Sequence, residues 1–260
     1  MSPASEHILV DADASGRVRH LRMHRPERKN ALTLAMYDAL ATALDDAEAD
    51  DQIRVITLRG GDGCFTAGND IGDFARAAAG GDLTQTFRFL RAIAAAEKPI
   101  VAGVDGLAIG VGTTMLLHCD LVYASERARF RTPFVDLGLV PEAGSSLLLP
   151  ALLGPQRADA MVLLGDDLDA ASARDAGLVN ALCTPGELDA RVEDAAQRLA
   201  GRAPAALRAS KALLRRASRA AIEEAMREEG RVFLERLRSP EVAEAISAFM
   251  ARRPADFRRF

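Results

Sequence analysis

Two stretches of small residues have the make-up of ligand-holding loops: Gly63-Cys64-Phe65-Thr66-Ala67-Gly68-Asn69-Asp70-Ile71 and Asp105-Gly106-Leu107-Ala108-Ile109-Gly110-Val111-Gly112. Each follows an apolar run that reads as a buried strand, and the second runs on into an apolar helix. Small residues let a ligand approach the backbone, and a helix start offers unpaired N–H groups. A pair of such donors could hold a carbonyl oxygen that becomes an oxyanion. Either loop alone reads better as an ordinary tight turn; the pair together favours function.

Other chemistries find little support. No GxSxG elbow occurs, and Gly144-Ser145-Ser146 reads as a helix start. His20 and His24 fall on the polar side of a strand that turns Leu21 and Met23 inward, so they read as solvated. His118 lies in an apolar helix and reads as a core residue. The glycines of Gly106-x3-Gly110-x-Gly112 have neither dinucleotide nor P-loop spacing, and no lysine follows. No metal site and no redox cofactor are expected. Cys64, Cys119 and Cys183, an odd number without CxxC spacing, suggest reduced thiols and a cytoplasmic setting.

The elements that must position these loops alternate between strand and helix. His7–Val10 and Val18–Met23 read as strands around a turn at Ala14-Ser15-Gly16, and Thr33 caps a helix carrying Leu34, Met36, Leu40 and Leu44. Ile53–Leu58, Pro99–Val104, Asp120–Ala124 and Leu178–Cys183 read as buried strands, with a helix over Thr84–Ala96. Gly106–Gly112 reads as a turn opening a helix through Leu117. Past Cys183 strand signals stop, and Pro204–Ala217, Arg219–Leu237 and Pro240–Arg252 carry helical periodicity. This order predicts an α/β core over residues 1–200 and a helical region over 201–260.

The 260 residues are 49% apolar and 27% charged, an ordinary globular balance with no run long enough to cross a membrane. Met-Ser-Pro-Ala-Ser-Glu-His lacks a signal-peptide layout, and Arg258-Arg259-Phe260 is no peroxisomal address. Net charge is −4, yet Arg202–Phe260 carries 14 Lys/Arg against 8 Asp/Glu. Interleaved glutamates suit i,i+4 pairing, and with 5% aromatics and no Trp no base-stacking platform is expected.

Six segments, in order, resemble the crotonase (enoyl-CoA hydratase/isomerase) superfamily over essentially the whole chain. They are Arg25-Pro26-Glu27-Arg28-Lys29-Asn30-Ala31-Leu32, Phe65-Thr66-Ala67-Gly68-Asn69-Asp70-Ile71, Lys98-Pro99-Ile100-Val101-Ala102, Cys119-Asp120-Leu121-Val122-Tyr123-Ala124, Ala173-Arg174-Asp175-Ala176-Gly177-Leu178-Val179-Asn180 and Ala248-Phe249-Met250-Ala251-Arg252-Arg253. The resemblance implies an α/β spiral of ββα units of the ClpP/crotonase type with a C-terminal helical trimerisation region. It implies an acyl-CoA thioester substrate and a homotrimer or hexamer; composition, with no membrane-length apolar run and sparse aromatics, predicts neither a membrane nor a nucleic-acid partner. The thioester oxygen would be held by the N–H groups of Asn69 and Val111. Coenzyme A, as part of the substrate, would lie against Lys29, Asn30, Ala31, Ala67, Gly68, Asp70, Ile71 and Gly110, with Phe249 and Arg252 near the nucleotide.

The branch is read from the acids. Where hydratases of the family carry two glutamates, this chain has Thr114 and Phe134, which can serve only as acyl-pocket residues; neither can act as a base. Leu137-Gly138-Leu139-Val140-Pro141-Glu142-Ala143-Gly144-Ser145-Ser146 instead resembles the peroxisomal-type Δ3,Δ2-enoyl-CoA isomerases, in which the glutamate matching Glu142 is the sole acid/base. Taken without the resemblance, Glu142 reads as a surface residue at a helix start. Asp70 is expected to brace its loop, and Asp136 to face away or solvent. The expected activity is conversion of 3-enoyl-CoA to 2-enoyl-CoA. Enoyl-CoA hydration is the alternative, and an RNA-binding or inactive protein is the non-enzymatic one.

Overall fold

The computed structural model describes residues 6–260. Of the N-terminal stretch read above for signal features, Met1–Ser5 lie outside the described residues. A six-stranded sheet forms the centre, in the order β1 (Ile8–Ala12), β2 (Val18–Met23), β3 (Val55–Arg59), β4 (Ile100–Val104), β6 (Leu121–Ser125) and β9 (Ala181–Cys183). Only the β1–β2 hairpin is antiparallel; every later pair is parallel. Strands β3 and β4 are buried almost throughout, as parallel strands covered on both faces must be.

A second sheet is smaller: β5 (Leu107–Ile109), β7 (Arg129–Arg131) and β8 (Leu168–Asp169). Strand β4 thus feeds β5, and β6 feeds β7, so each unit lays one strand in each sheet before its helix. The spiral of ββα units is this alternation. It also corrects the reading of Gly106–Gly112 as a simple turn. Leu107–Ile109 pair in parallel with Arg129–Arg131, and the helix after them is a single α-turn, α4 (Val111–Thr114), tightening into a 3-10 turn over Met115–His118.

One side of the large sheet carries α1 (Leu34–Ala49) and α3 (Thr84–Ala95), with α2 (Ile71–Ala78) between them in sequence. Thr33 caps α1 as expected, its hydroxyl accepting from Met36 N–H at 3.2 Å. Leu21, Met23, Met36, Leu40, Leu44, Ile56, Phe89 and Ile93 form the main core here. After α5 (Ser145–Leu153), α6 (Pro155–Leu163) and α7 (Ala170–Asp175), α8 (Leu188–Ala200) covers the opposite face, over Val18, Val55, Val101 and Tyr123. His20 sits under this second layer, its Nδ1 2.9 Å from Thr57 Oγ1. The solvated reading therefore holds only for His24, which is exposed.

The C-terminal helices α9 (Pro204–Arg215), α10 (Arg219–Leu237) and α11 (Pro240–Met250) dock on this core. Lys211 of α9 reaches in to Asp120 at 2.7 Å, and Arg215 joins it at 3.1 Å. Phe233 and Leu237 of α10 pack with Phe74, Phe134 and Val242 in a separate cluster. Much of the tail's positive charge is held in ion pairs: Arg231 with Glu228 and Glu235, Arg227 with Glu224, and Arg253 and Arg259 with Glu244. No helix is long and apolar enough to cross a membrane among the described residues.

Candidate active site

The two loops are stitched to one another. Thr66 N–H donates to Leu107 O at 2.9 Å, and Ile109 N–H returns a bond to Thr66 O at 3.0 Å. Thr66 Oγ1 donates to Asn30 O at 2.7 Å and accepts from Gly68 N–H at 3.1 Å, which ties in the Lys29–Ala31 segment. Small residues are required by this lacing. A Cβ on Gly68 would stand 2.9 Å from Ile109 O, and one on Gly112 only 2.6 Å from Thr66 Cγ2. Gly110 differs: a Cβ there would meet nothing within 4 Å, and its φ of 57° supplies the left-handed turn before α4. Valine at 111 is thereby spared a positive φ and begins the helix.

Just beyond the stitch lie Asn69 and Val111. Among the described residues neither N–H has an acceptor, whereas the flanking N–H groups of Gly68, Asp70 and Gly110 are all bonded. Two backbone donors on coupled loops are thus left for something else. The Asn69 side chain is fixed, its Oδ1 accepting from the buried Tyr37 hydroxyl at 2.5 Å.

Several expected contact residues prove to be braces. Asn30 is fully buried, its amide donating to Gly61 O and Cys64 O and its Oδ1 accepting from Arg25 N–H. Its side chain faces the protein, and its backbone N–H and carbonyl are bonded to Arg25 O and Thr66 Oγ1, so it supports the loop rather than meeting a ligand. Asp70 caps α2 through Gly72 and Asp73 N–H and pairs with Arg25 at 2.8 Å, the bracing role expected of it. These partners hold its carboxyl below the ordinary carboxylate range despite partial burial. Asp73 is taken by Leu34 N–H and Arg76, and Asp136 pairs with Arg131 at 2.9 Å. Lys29 is exposed and Ala31, Ala67 and Ile71 are half-buried along the same rim; Phe249 and Arg252 stand exposed on and just after α11.

Glu142 is a different kind of acid. It is 6% exposed, has no cationic partner among the described residues, and accepts a short hydrogen bond from Thr114 Oγ1 on its Oε1. Its Oε2 is buried without a partner. Burial pushes the carboxyl from an ordinary 4.5 up to about 7, the Thr114 bond opposing and the charge of Glu229 adding to the rise. An acid that titrates near neutrality can both take and give a proton. Thr114 is the third residue after Val111, so α4 alone joins one free N–H to the carboxylate. The surface reading of Glu142 is corrected: the helix start after Pro141 is turned inward beneath α10.

Glu142 also borders a cavity of about 940 Å³. Glu142 and Ala143 line it together with Phe87, Leu90, Leu213, Ile222 and Met226, which supply apolar wall. Phe134 does not line it, being packed among Phe74, Leu139 and Phe233 instead. Two further residues grip the turn just after Glu142, a contact that nothing in the sequence signalled. Buried His118 donates from Nε2 to Ala143 O at 2.7 Å, with burial holding its pKa down to about 4. Buried Glu229 accepts from Gly144 and Ser146 N–H.

The enoyl-CoA hydratase/isomerase family profile matches residues 13–259. The chain belongs to this family. It is 44% identical to the enoyl-CoA hydratase/isomerase of Pseudoalteromonas atlantica T6c, whose crystal structure superposes with a TM-score of 0.91 over 97% of this chain and 100% of that one. It is 33% identical to enoyl-CoA delta isomerase 2 of Rattus norvegicus over 96% of its length, spanning 65% of that relative. It is 34% identical to the 2,3-dehydroadipyl-CoA hydratase of Escherichia coli K12 over 93% of its length and 95% of the relative's. Isomerases and hydratases stand at the same distance, so kinship makes the chain an enzyme of this class and leaves the reaction to the residues.

Proposed function

We propose that the protein is a Δ3,Δ2-enoyl-CoA isomerase. The observation that carries this reading is Glu142: among the acids near the loops it alone is buried, unpaired and poised near neutrality, while Asp70, Asp73 and Asp136 are bound to arginines or backbone N–H groups. Hydration must handle a water and a proton, and the positions that resemble hydratase glutamates hold Thr114 and Phe134, the latter packed in a hydrophobic cluster. Isomerisation needs one shuttle.

In this mechanism the Asn69 and Val111 N–H groups hold the thioester oxygen of a 3-enoyl-CoA. Glu142 takes a proton from C2, and the C–H electron pair enters the conjugated dienolate, whose negative oxygen the two donors stabilise. The protonated carboxyl then delivers the proton to C4, leaving the double bond between C2 and C3. Thr114 holds the carboxylate throughout. The cavity beside Glu142 offers apolar wall for an acyl chain, and the rim from Lys29 to Ile71, with Phe249 and Arg252, offers a seat for coenzyme A. No step calls for a metal or redox cofactor. Action as a homotrimer or hexamer in the cytoplasm completes the proposal.

The test is a paired assay, 3-enoyl-CoA against 2-enoyl-CoA plus water. Isomerisation with little hydration is expected. Dominant hydration would overturn the isomerase reading in favour of the alternative, and no turnover of either would favour an inactive or RNA-binding protein.

A further inference from the structure

We propose that Glu229 is a positioning residue for Glu142: a glutamate of the C-terminal helix α10 that clamps the turn behind the proton shuttle and holds it in its working place. The inference rests on the reading of Glu142 as that shuttle. Immediately after Glu142 the chain takes two successive left-handed residues, Ala143 at φ 62° and Gly144 at φ 72°. Alanine does not adopt this conformation unaided, so the surroundings must impose it. Glu229 Oε2 accepts from Gly144 N–H at 2.6 Å and its Oε1 from Ser146 N–H at 2.8 Å. From the other side His118 holds Ala143 O, and Ser145 Oγ donates to Glu142 O at 2.6 Å.

Glu229 is 7% exposed and forms no ion pair among the described residues. Both its oxygens serve the start of α5, the nine-residue helix that begins three residues after Glu142. A carboxylate is the one side chain that can accept from both N–H groups with equal ease. Glutamine would turn an amide N–H₂ toward one of the donors, and aspartate is a methylene too short. The turn is therefore assembled only when α10 docks.

The charge matters besides the shape. Glu142 is faced by Tyr37 of α1, by His118, and by Glu229 of α10. Around the cavity it shares are Arg91 of α3 with Glu97 just after that helix, Arg208, Lys211 and Arg215 of α9 with Arg216 just after it, and Arg219, Glu223 and Arg227 of α10. His118 is neutral at working pH, and Glu229 is the charge that adds to burial in raising the Glu142 pKa.

The experiment compares Glu229→Gln and Glu229→Asp with wild type in three readouts: kcat and KM for 3-enoyl-CoA, the pH–rate profile, and an infrared titration of the Glu142 carboxyl identified by its loss in Glu142→Gln. Glu229→Gln is expected to lower kcat roughly 10- to 100-fold with KM nearly constant. It should also move the acid limb and the Glu142 titration to lower pH. Glu229→Asp should lower kcat while leaving the titration near wild type. Wild-type kcat in both variants overturns the proposal. So does a Glu229→Gln protein whose only changes are a raised KM and a lower melting temperature, since that describes a general brace. Should Glu229→Gln not fold, a wild-type kcat in Glu229→Asp overturns the proposal by itself. Failure of the underlying reading looks different: wild type would not isomerise, or Glu142→Gln would, while the infrared titration would still report whether Glu229 acts on Glu142.

Discussion

At the scale of single residues, the site depends on one carboxyl kept away from cations. Glu142→Gln preserves shape and removes the base, so kcat should fall by about 10² to 10⁴ while acyl-CoA affinity changes little. The same variant has a stability signature. In the folded protein the Glu142 carboxyl titrates at about 7 against an ordinary 4.5. The folded state thus binds the proton more tightly than the unfolded one. This contribution is fully present below the unfolded value and is lost as pH rises through the folded one, leaving wild type about 3 kcal/mol less stable on the alkaline side. Glutamine has no such dependence, so Glu142→Gln should gain on wild type between pH 5 and pH 8 in paired thermal melts. Equal gaps at the two pH values would refute the perturbed carboxyl. Thr114→Val removes the bond that stabilises the ionised form. Its acid limb should move to higher pH, with the rate at pH 7 falling several-fold. Reading Thr114 only as acyl wall does not anticipate this.

At the scale of elements, the loops work because they are laced. Thr66 cannot turn aside from a new neighbour, since its hydroxyl is bonded to Asn30 O and Gly68 N–H. Gly112→Ala would place a Cβ 2.6 Å from Thr66 Cγ2 and push α4 away from the first loop. The expected cost is about 1–3 kcal/mol of stability, with a fall in kcat because Val111 and Thr114 move together. A Gly112→Ala enzyme with unchanged melting temperature and rate would show that the lacing is dispensable. Short strand β5 escaped the sequence reading for a related reason. Leu107–Ile109 is too brief for a periodic signal, and only pairing with β7 makes it a strand.

At the scale of the whole molecule, the C-terminal helices matter in two ways. Phe233 and Leu237 pack inside the protomer beside Phe134 and so are not free to form an oligomer face. Exposed apolar residues remain elsewhere on the C-terminal helices, among them Leu214 of α9 at 85% and Met250 of α11 at 70%. Such residues on a soluble helix call for a covering partner. Light scattering at micromolar concentration should report a trimer or hexamer, and Leu214→Glu should shift the population toward smaller species. A wild-type monomer would overturn this. A chelator should leave turnover unchanged; activity lost to it and regained on adding metal would overturn the proposal of metal-free chemistry.

What the sequence by itself determined is local in nature. The strand–loop–helix alternation, the Thr33 cap, the glycine loops and the order of family segments depend on near neighbours in the chain, where periodicity and turn chemistry act. They carried the fold, and the family resemblance pointed to the backbone of Asn69 and Val111 and to Glu142. Only the tertiary structure decided what surrounds that glutamate. Thr114 is 28 residues before it, while Glu229 acts through Gly144, 85 residues before it in the chain. Tyr37 fixes Asn69 from 32 residues away. Burial, the unpaired Oε2 and the raised pKa follow from these long-range meetings. A solvated carboxyl with the same neighbours in sequence would titrate like any other, and it is packing that withholds the water.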